Sequence, residues 1–268
     1  MQNFEAMQNF DLHVHTTFSD GADTPETVVL RAIELGLSRI GISDHSFVKG
    51  AEEWCMREDA LPAYRKEITR LKEKYRGQIE VLCGIEQDIL SKTPADGFDY
   101  VIGSVHFIKE KGTLIPVDES ADILQDAAAR YFGDDIYALC SSYYALEAEA
   151  ALRTNADIIG HFDLISKFNE NNALFNEADA RYVSAWKGAA QQLLQCGVPF
   201  EINFGAVSRG YRTLPYPSAE MRRFILDNGG RFILSSDSHA AGTIGFGFEG
   251  WAETDGCAGF DAVLKHSH

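Results

Sequence analysis

Residues 10–15 read Phe10-Asp11-Leu12-His13-Val14-His15, an alternation of apolar and polar residues that ends in two histidines spaced i, i+2. Successive side chains of a strand point to opposite faces, so His13 and His15 share one side and can grip one ion. A related pattern, a short apolar run followed at once by imidazole or carboxylate, recurs downstream. Arg39–Ser43 runs into Asp44-His45, Glu80–Ile85 into Glu86, and Tyr100–Val105 into His106. Asp157–Gly160 leads to His161 with Asp163 close behind. Pro199–Asn203 ends in Glu201-Ile202-Asn203, and Arg231–Ser235 leads to Asp237-Ser238-His239.

Helical patterns separate these runs. Leu61, Tyr64, Ile68, Leu71 and Tyr75 follow a 3-4-3-4 spacing that lays one apolar stripe along a helix. Ile136, Leu139, Tyr143, Leu146 and Ala150 repeat it, and Tyr182, Val183, Trp186, Leu193 and Leu194 mark a further helix that stops at Gly197. Thr24-Pro25 reads as an N-cap with proline in the first turn, and Ser218 as the cap of a helix ending at Gly229-Gly230. Residues 109–135 make a poor helix and read as an inserted loop. Seven strands alternating with helices, and no Pro/Gly/Ser linker, predict a single α/β domain over residues 1–268 with a parallel, barrel-like sheet.

Composition fits such a domain: 268 residues, 45% hydrophobic and 24% charged, can bury a sizeable core. The net charge of −16 repels phosphate backbones and anionic lipid, so nucleic acid and membrane are poor partners. No apolar run approaches the roughly 18–20 residues of a membrane span. The motif MQNF occurs at both Met1 and Met7, which reads as an added extension or an alternative start, and residues 1–6 are left out of the fold reading. Five scattered cysteines without a C-x-x-C pair suit a reduced, cytoplasmic protein and read as small buried apolar residues.

Six of the eight histidines therefore lie at strand C-terminal ends; His266 and His268 belong to a polar tail that reads as disordered. About three positions after each strand make roughly twenty, where chance would place less than one histidine. In a β/α barrel these ends converge on one face, where active sites are built. So many imidazoles and carboxylates exceed what one tetrahedral zinc can use and suit two or three divalent ions with positions open to water and substrate. Taken alone, His106 or His161 would read as a core histidine and Asp20 as a turn residue; the joint pattern reverses that reading. Asp44 and Asp163 fit equally as ligands or as carboxylates orienting a ligand imidazole.

In these segments the sequence resembles the polymerase-and-histidinol-phosphatase (PHP) family of metal-dependent phosphoesterases. The matching stretches are Asp11-Leu12-His13-Val14-His15-Thr16 with Ser19-Asp20-Gly21, Ser43-Asp44-His45, Gly84-Ile85-Glu86, Gly103-Ser104-Val105-His106, Gly160-His161 and Ser236-Asp237-Ser238-His239. The resemblance implies a distorted (β/α)7 TIM-like barrel. It implies one ion held by His13, His15, Glu86 and Asp237, a second by Glu86, His106 and His161, and a third by Asp20, His45 and His239. Glu86 would bridge the first two, and Glu86, Asp20, Asp237 and His239 would carry the catalytic work through the ions. Imidazole and carboxylate ligands without thiolate admit zinc, manganese and iron alike.

Within the family, the branch acting on L-histidinol phosphate is most similar. Its marks here are the run from Gly160 to Phe168, the Glu201-Ile202-Asn203 strand end, and Pro215-Tyr216-Pro217-Ser218. A phosphomonoester needs cations beyond the metals. Lys167 follows the fifth strand and Arg209 and Arg212 the sixth, so all three are candidate phosphate contacts, with Asp118 and Glu119 candidates for a cationic substrate. The alternatives are a PHP phosphoesterase for nucleotides, sugar phosphates or phosphotyrosine, an eight-stranded amidohydrolase barrel, and a non-catalytic metal-stabilised scaffold. The last is disfavoured because no ligand position is degraded.

Overall fold

Each of the seven apolar runs forms a strand of one parallel sheet in the computed structural model, which describes residues 8–251, 257–260 and 263. The duplicated N-terminal segment 1–6 and the tail histidines His266 and His268 lie outside the described residues. In chain order the elements are β1 (Phe10–Asp11), α1 (Pro25–Glu34), β2 (Arg39–Ile42), α2 (Leu61–Lys74), β3 (Glu80–Asp88) and β4 (Tyr100–Ser104). There follow β5 (Phe107–Glu110), β6 (Thr113–Pro116), α3 (Ala121–Tyr131), α4 (Ile136–Thr154), β7 (Ile158–Ile159), α5 (Ala180–Leu194), β8 (Phe200–Asn203), α6 (Gly205–Ser208), α7 (Ala219–Asp227) and β9 (Phe232–Ser235).

The sheet order is β1-β2-β3-β4-β7-β8-β9 with every pair parallel. It curls into a nearly closed barrel. Val14 bridges Ser238, the His15 N–H donates to the Ser238 carbonyl at 2.8 Å, and the Gln8 side chain joins the Leu234 backbone. One buried cluster joins Leu12, Leu82, Tyr100, Ile102, Ile158 and Ile233, from the strands and the residue just after β1, with Phe260 and Val263 packed against it. Gly41 and Gly84 are required there: a Cβ on either would stand 2.1–2.2 Å from the Tyr100 ring or its hydroxyl. Strand alternation carries this inward face up to the mouth. Leu82 and Gly84 lead to Glu86, and Ile233 and Ser235 to Asp237.

The helices pack outside, with Tyr64, Ile68 and Leu71 of α2 and Tyr182, Trp186 and Leu193 of α5 buried as their spacing requires. Thr24 caps α1 through Thr27 N–H. Ser218 does stand at the start of α7, but its hydroxyl makes no cap; its N–H donates instead to Asp163 Oδ2 at 3.0 Å.

Residues 109–135 are not a loop. β5 and β6 form an antiparallel hairpin turned at Lys111-Gly112, both with positive φ, and α3 follows with Ser120 as its N-cap. The turn lacks the Asn-Gly or Asp-Gly signature. Leu124, Ala127 and Ala128, the buried face of α3, are small enough to hide the helical stripe.

Candidate metal centre

Glu86, at the C-terminal half of β3, is the hub of the barrel mouth. Its Oε2 lies 2.8 Å from His45 Nδ1, 3.3 Å from His13 Nε2 and 3.5 Å from His15 Nε2. Its Oε1 lies 2.9 Å from His161 Nε2 and 3.3 Å from His106 Nε2, and accepts from the Ser104 hydroxyl at 2.8 Å. Asp237 Oδ1 stands 3.4 Å from His15 Nε2 and 3.8 Å from His13 Nε2. On the outer side, Asp20 lies 3.2 Å from His239 Nε2 and 3.7 Å from both His45 Nε2 and His15 Nδ1. All nine expected ligands are thus brought together. His15 falls within reach of the outer group as well as the inner one.

Most of these separations exceed a good hydrogen bond. Two ligands about 2.0–2.1 Å from a tetrahedral ion stand roughly 3.3–3.4 Å apart, so the observed spacing suits donors arranged around cations. A second observation agrees. His13 Nε2, both nitrogens of His15 and Glu86 Oε2 are buried with no hydrogen-bond partner, a state that buried polar atoms rarely keep unless something else satisfies them. The residues therefore fit divalent metal ions.

Electrostatics follow from this crowding. Burial opposes ionisation of Glu86, but His13, His45 and His106 outweigh it and hold the carboxyl well below its ordinary range. Burial likewise opposes charge on Asp237, and Arg209 and His13 hold it low. Burial together with His239 and His45 pushes the His15 imidazole down to about 3, leaving it neutral, as a metal ligand must be.

Beside this cluster is a cavity of about 300 Å³ lined by Asp20, His45, His106, His161, Asp237 and His239. Arg209 and Lys167 reach it, as do Asp118, Glu119, Trp54 and Tyr211. Arg209 donates to the Asp237 carbonyl at 3.1 Å and lies 2.7 Å from His239 Nδ1. Lys167 donates to the Asp118 carbonyl and carboxylate at 2.8 and 3.1 Å and sits over the Tyr211 ring. Arg212, expected at the mouth, is a correction. It turns inward to the Ser166 carbonyl and hydroxyl and stacks over Tyr216, and it does not line the cavity.

The two ambiguous carboxylates are also resolved. Asp44 binds the backbone and hydroxyl groups of Thr16 and Ser19, tying down the loop that carries Asp20. Asp163 accepts from Ser218 N–H and Ser166 Oγ, and burial pushes its carboxyl up to about 6. Neither orients a ligand ring. That position is taken by Glu201, 2.7 Å from His13 Nδ1, and by Asp88, 3.3 Å from His106 Nδ1. Strand alternation could have pointed to Glu201, two residues before the inward Asn203. Asp88 lies on an extension of β3 beyond its apolar run. The cysteine reading holds for Cys55, Cys83 and Cys140, whose thiols burial raises to about 11, 12 and 12.

The PHP domain family matches residues 11–203. A Deinococcus radiodurans protein named "Probable histidinol-phosphatase" is 30% identical over 253 residues, covering 89% of each chain. Among solved structures, a Listeria monocytogenes protein described as a "putative histidinol phosphatase" superposes with a TM-score of 0.75 at 20% identity, covering 90% of this chain and 99% of that one. A Lactococcus lactis histidinol phosphate phosphatase, solved with zinc, L-histidinol and phosphate, gives 0.63 at 22% identity over 87% of each. Both share the fold. Among the described residues the parallel sheet has seven strands, where the amidohydrolase barrel has eight. With its motifs in order around one barrel mouth and a match spanning most of its length, the chain belongs to the PHP domain family.

Proposed function

We propose that this chain, acting as one catalytic domain, is a metal-dependent phosphomonoesterase that hydrolyses L-histidinol phosphate to L-histidinol and phosphate. The observation that carries the reaction class is the convergence of six imidazoles on Glu86, Asp20 and Asp237 with the Arg209 guanidinium beside them. The substrate is argued from the relatives: the name of the Deinococcus protein and the ligands of the Lactococcus structure.

His13, His15, Glu86 and Asp237 would hold one ion, Glu86, His106 and His161 a second, and Asp20, His45 and His239 a third. Zinc, manganese or iron suits this thiolate-free set, with two to three ions per chain. Bound there, such ions would acidify a water and offset the charge developing on phosphorus. The chain's own residues do the rest. Glu86 faces imidazoles from both of its oxygens and would offset charge at two positions at once. Arg209 offers a fork to the phosphoryl oxygens, and Lys167 a point charge steered by Asp118. Asp118 and Glu119 line the cavity and suit the cationic end of an amino-imidazole substrate. The net charge of −16 disfavours nucleic acid and supports a small substrate.

The test is phosphate release from L-histidinol phosphate, p-nitrophenyl phosphate and a nucleoside monophosphate. L-Histidinol phosphate should lead in kcat/KM by at least about tenfold. Equal values would remove the substrate assignment and leave a phosphoesterase of the same family acting elsewhere.

A further inference from the structure

We propose that Glu201 is a positioning residue that ties two of the ion positions together from behind; this rests on reading His13 and His161 as metal ligands. Glu201 lies on β8 and is 1% exposed. Its Oε1 stands 2.7 Å from His13 Nδ1. Its Oε2 accepts the backbone N–H of His161 at 3.1 Å and the Asn203 amide at 3.0 Å. A carboxylate only accepts, so His13 carries its proton on Nδ1 and presents the Nε2 lone pair outward. Nε2 is the atom that faces Glu86 and Asp237 and has no hydrogen-bond partner.

The two oxygens thus address two ion positions, one through the ring of His13 and the other through the backbone of His161. Glu86 spans the same pair from the front, its Oε2 3.3 Å from His13 Nε2 and its Oε1 2.9 Å from His161 Nε2. The spacing of these two histidines, 6.0 Å between ring centroids, is clamped between a front carboxylate and a rear one. Among the described residues Glu201 makes no hydrogen bond to Asp20, His45 or His239, so the third position is outside its reach. Glutamine is not a conservative replacement here. Its amide can keep an oxygen for His13, but its NH2 then faces two donors.

Full-length protein loaded with zinc or manganese is titrated with chelator while bound metal and circular dichroism are followed. Glu201→Gln should release the ions held through His13 and His161 with about tenfold to hundredfold weaker affinity. The ion at Asp20 and His239 should follow wild type, a selectivity that general destabilisation would not produce. Retention of wild-type affinity at every position, or equal weakening at all of them, overturns the proposal. If Glu201→Gln does not fold, nitrogen-15 NMR of histidine-labelled, zinc-loaded wild type decides. His13 should show a protonated Nδ1 and a zinc-bound Nε2; an unprotonated Nδ1 overturns the proposal. Wild-type protein that takes up neither metal overturns the ligand reading as well, whereas normal uptake with an unaffected Glu201→Gln overturns this inference alone.

Discussion

Replacing Glu86 by glutamine should strip metal from the protein far more than replacing His45 by alanine. The carboxylate is buried and stands within 2.8–3.5 Å of five imidazole nitrogens divided between its two oxygens. If it serves two ions, its neutralisation removes a charge-assisted contact from each. At about 1.5–3 kcal/mol per contact the combined loss is about 3–6 kcal/mol, or roughly 10²–10⁴ in the product of the two affinities. His45, partly exposed, would serve one ion where Glu86 would serve two, and its loss should weaken binding by only about tenfold to hundredfold. Metal content by elemental analysis after gel filtration through graded chelator measures both variants, with circular dichroism confirming that each is folded. Equal metal loss in the two would refute the bridging role.

Substitutions at two further positions test the surroundings. Arg209→Ala should lower kcat/KM by about tenfold to hundredfold, with Arg209→Lys recovering part of it, because a lysine restores the charge without the fork; unchanged kcat/KM in steady-state assays would remove Arg209 from the phosphate site. Gly21→Ala should destabilise the protein by about 1–3 kcal/mol in thermal or denaturant unfolding, because the new Cβ would stand 2.5 Å from the backbone of His15 and Thr16, which cannot yield as a side chain would; a melting temperature equal to wild type would contradict that geometry.

The barrel was legible because its strands are short β-rich runs and because the chemistry sits immediately after them. His13, Glu86, His106, His161 and Asp237 could be placed at one mouth from strand order alone. What lay in irregular backbone was not legible. Arg212 and Arg209 are three residues apart beyond the same strand, yet one faces the cavity and the other Ser166. No periodicity encodes that difference. The hairpin after His106 was hidden by a Lys-Gly turn, and α3 by its alanines. Asp44, Asp163 and Glu201 are all carboxylates near strand ends. Alternation along β8 marks Glu201 as inward, but the distances are what show that it reaches the His13 ring while the others fasten loops.

Metal-dependent phosphomonoester hydrolysis at this mouth can be tested directly. The direct measurement is phosphate release from L-histidinol phosphate by the purified protein, before and after exhaustive chelation and after return of zinc, manganese or iron(II). Activity should disappear as metal is withdrawn and return with at least one of these ions. Undiminished hydrolysis by protein verified to be free of metal would contradict it.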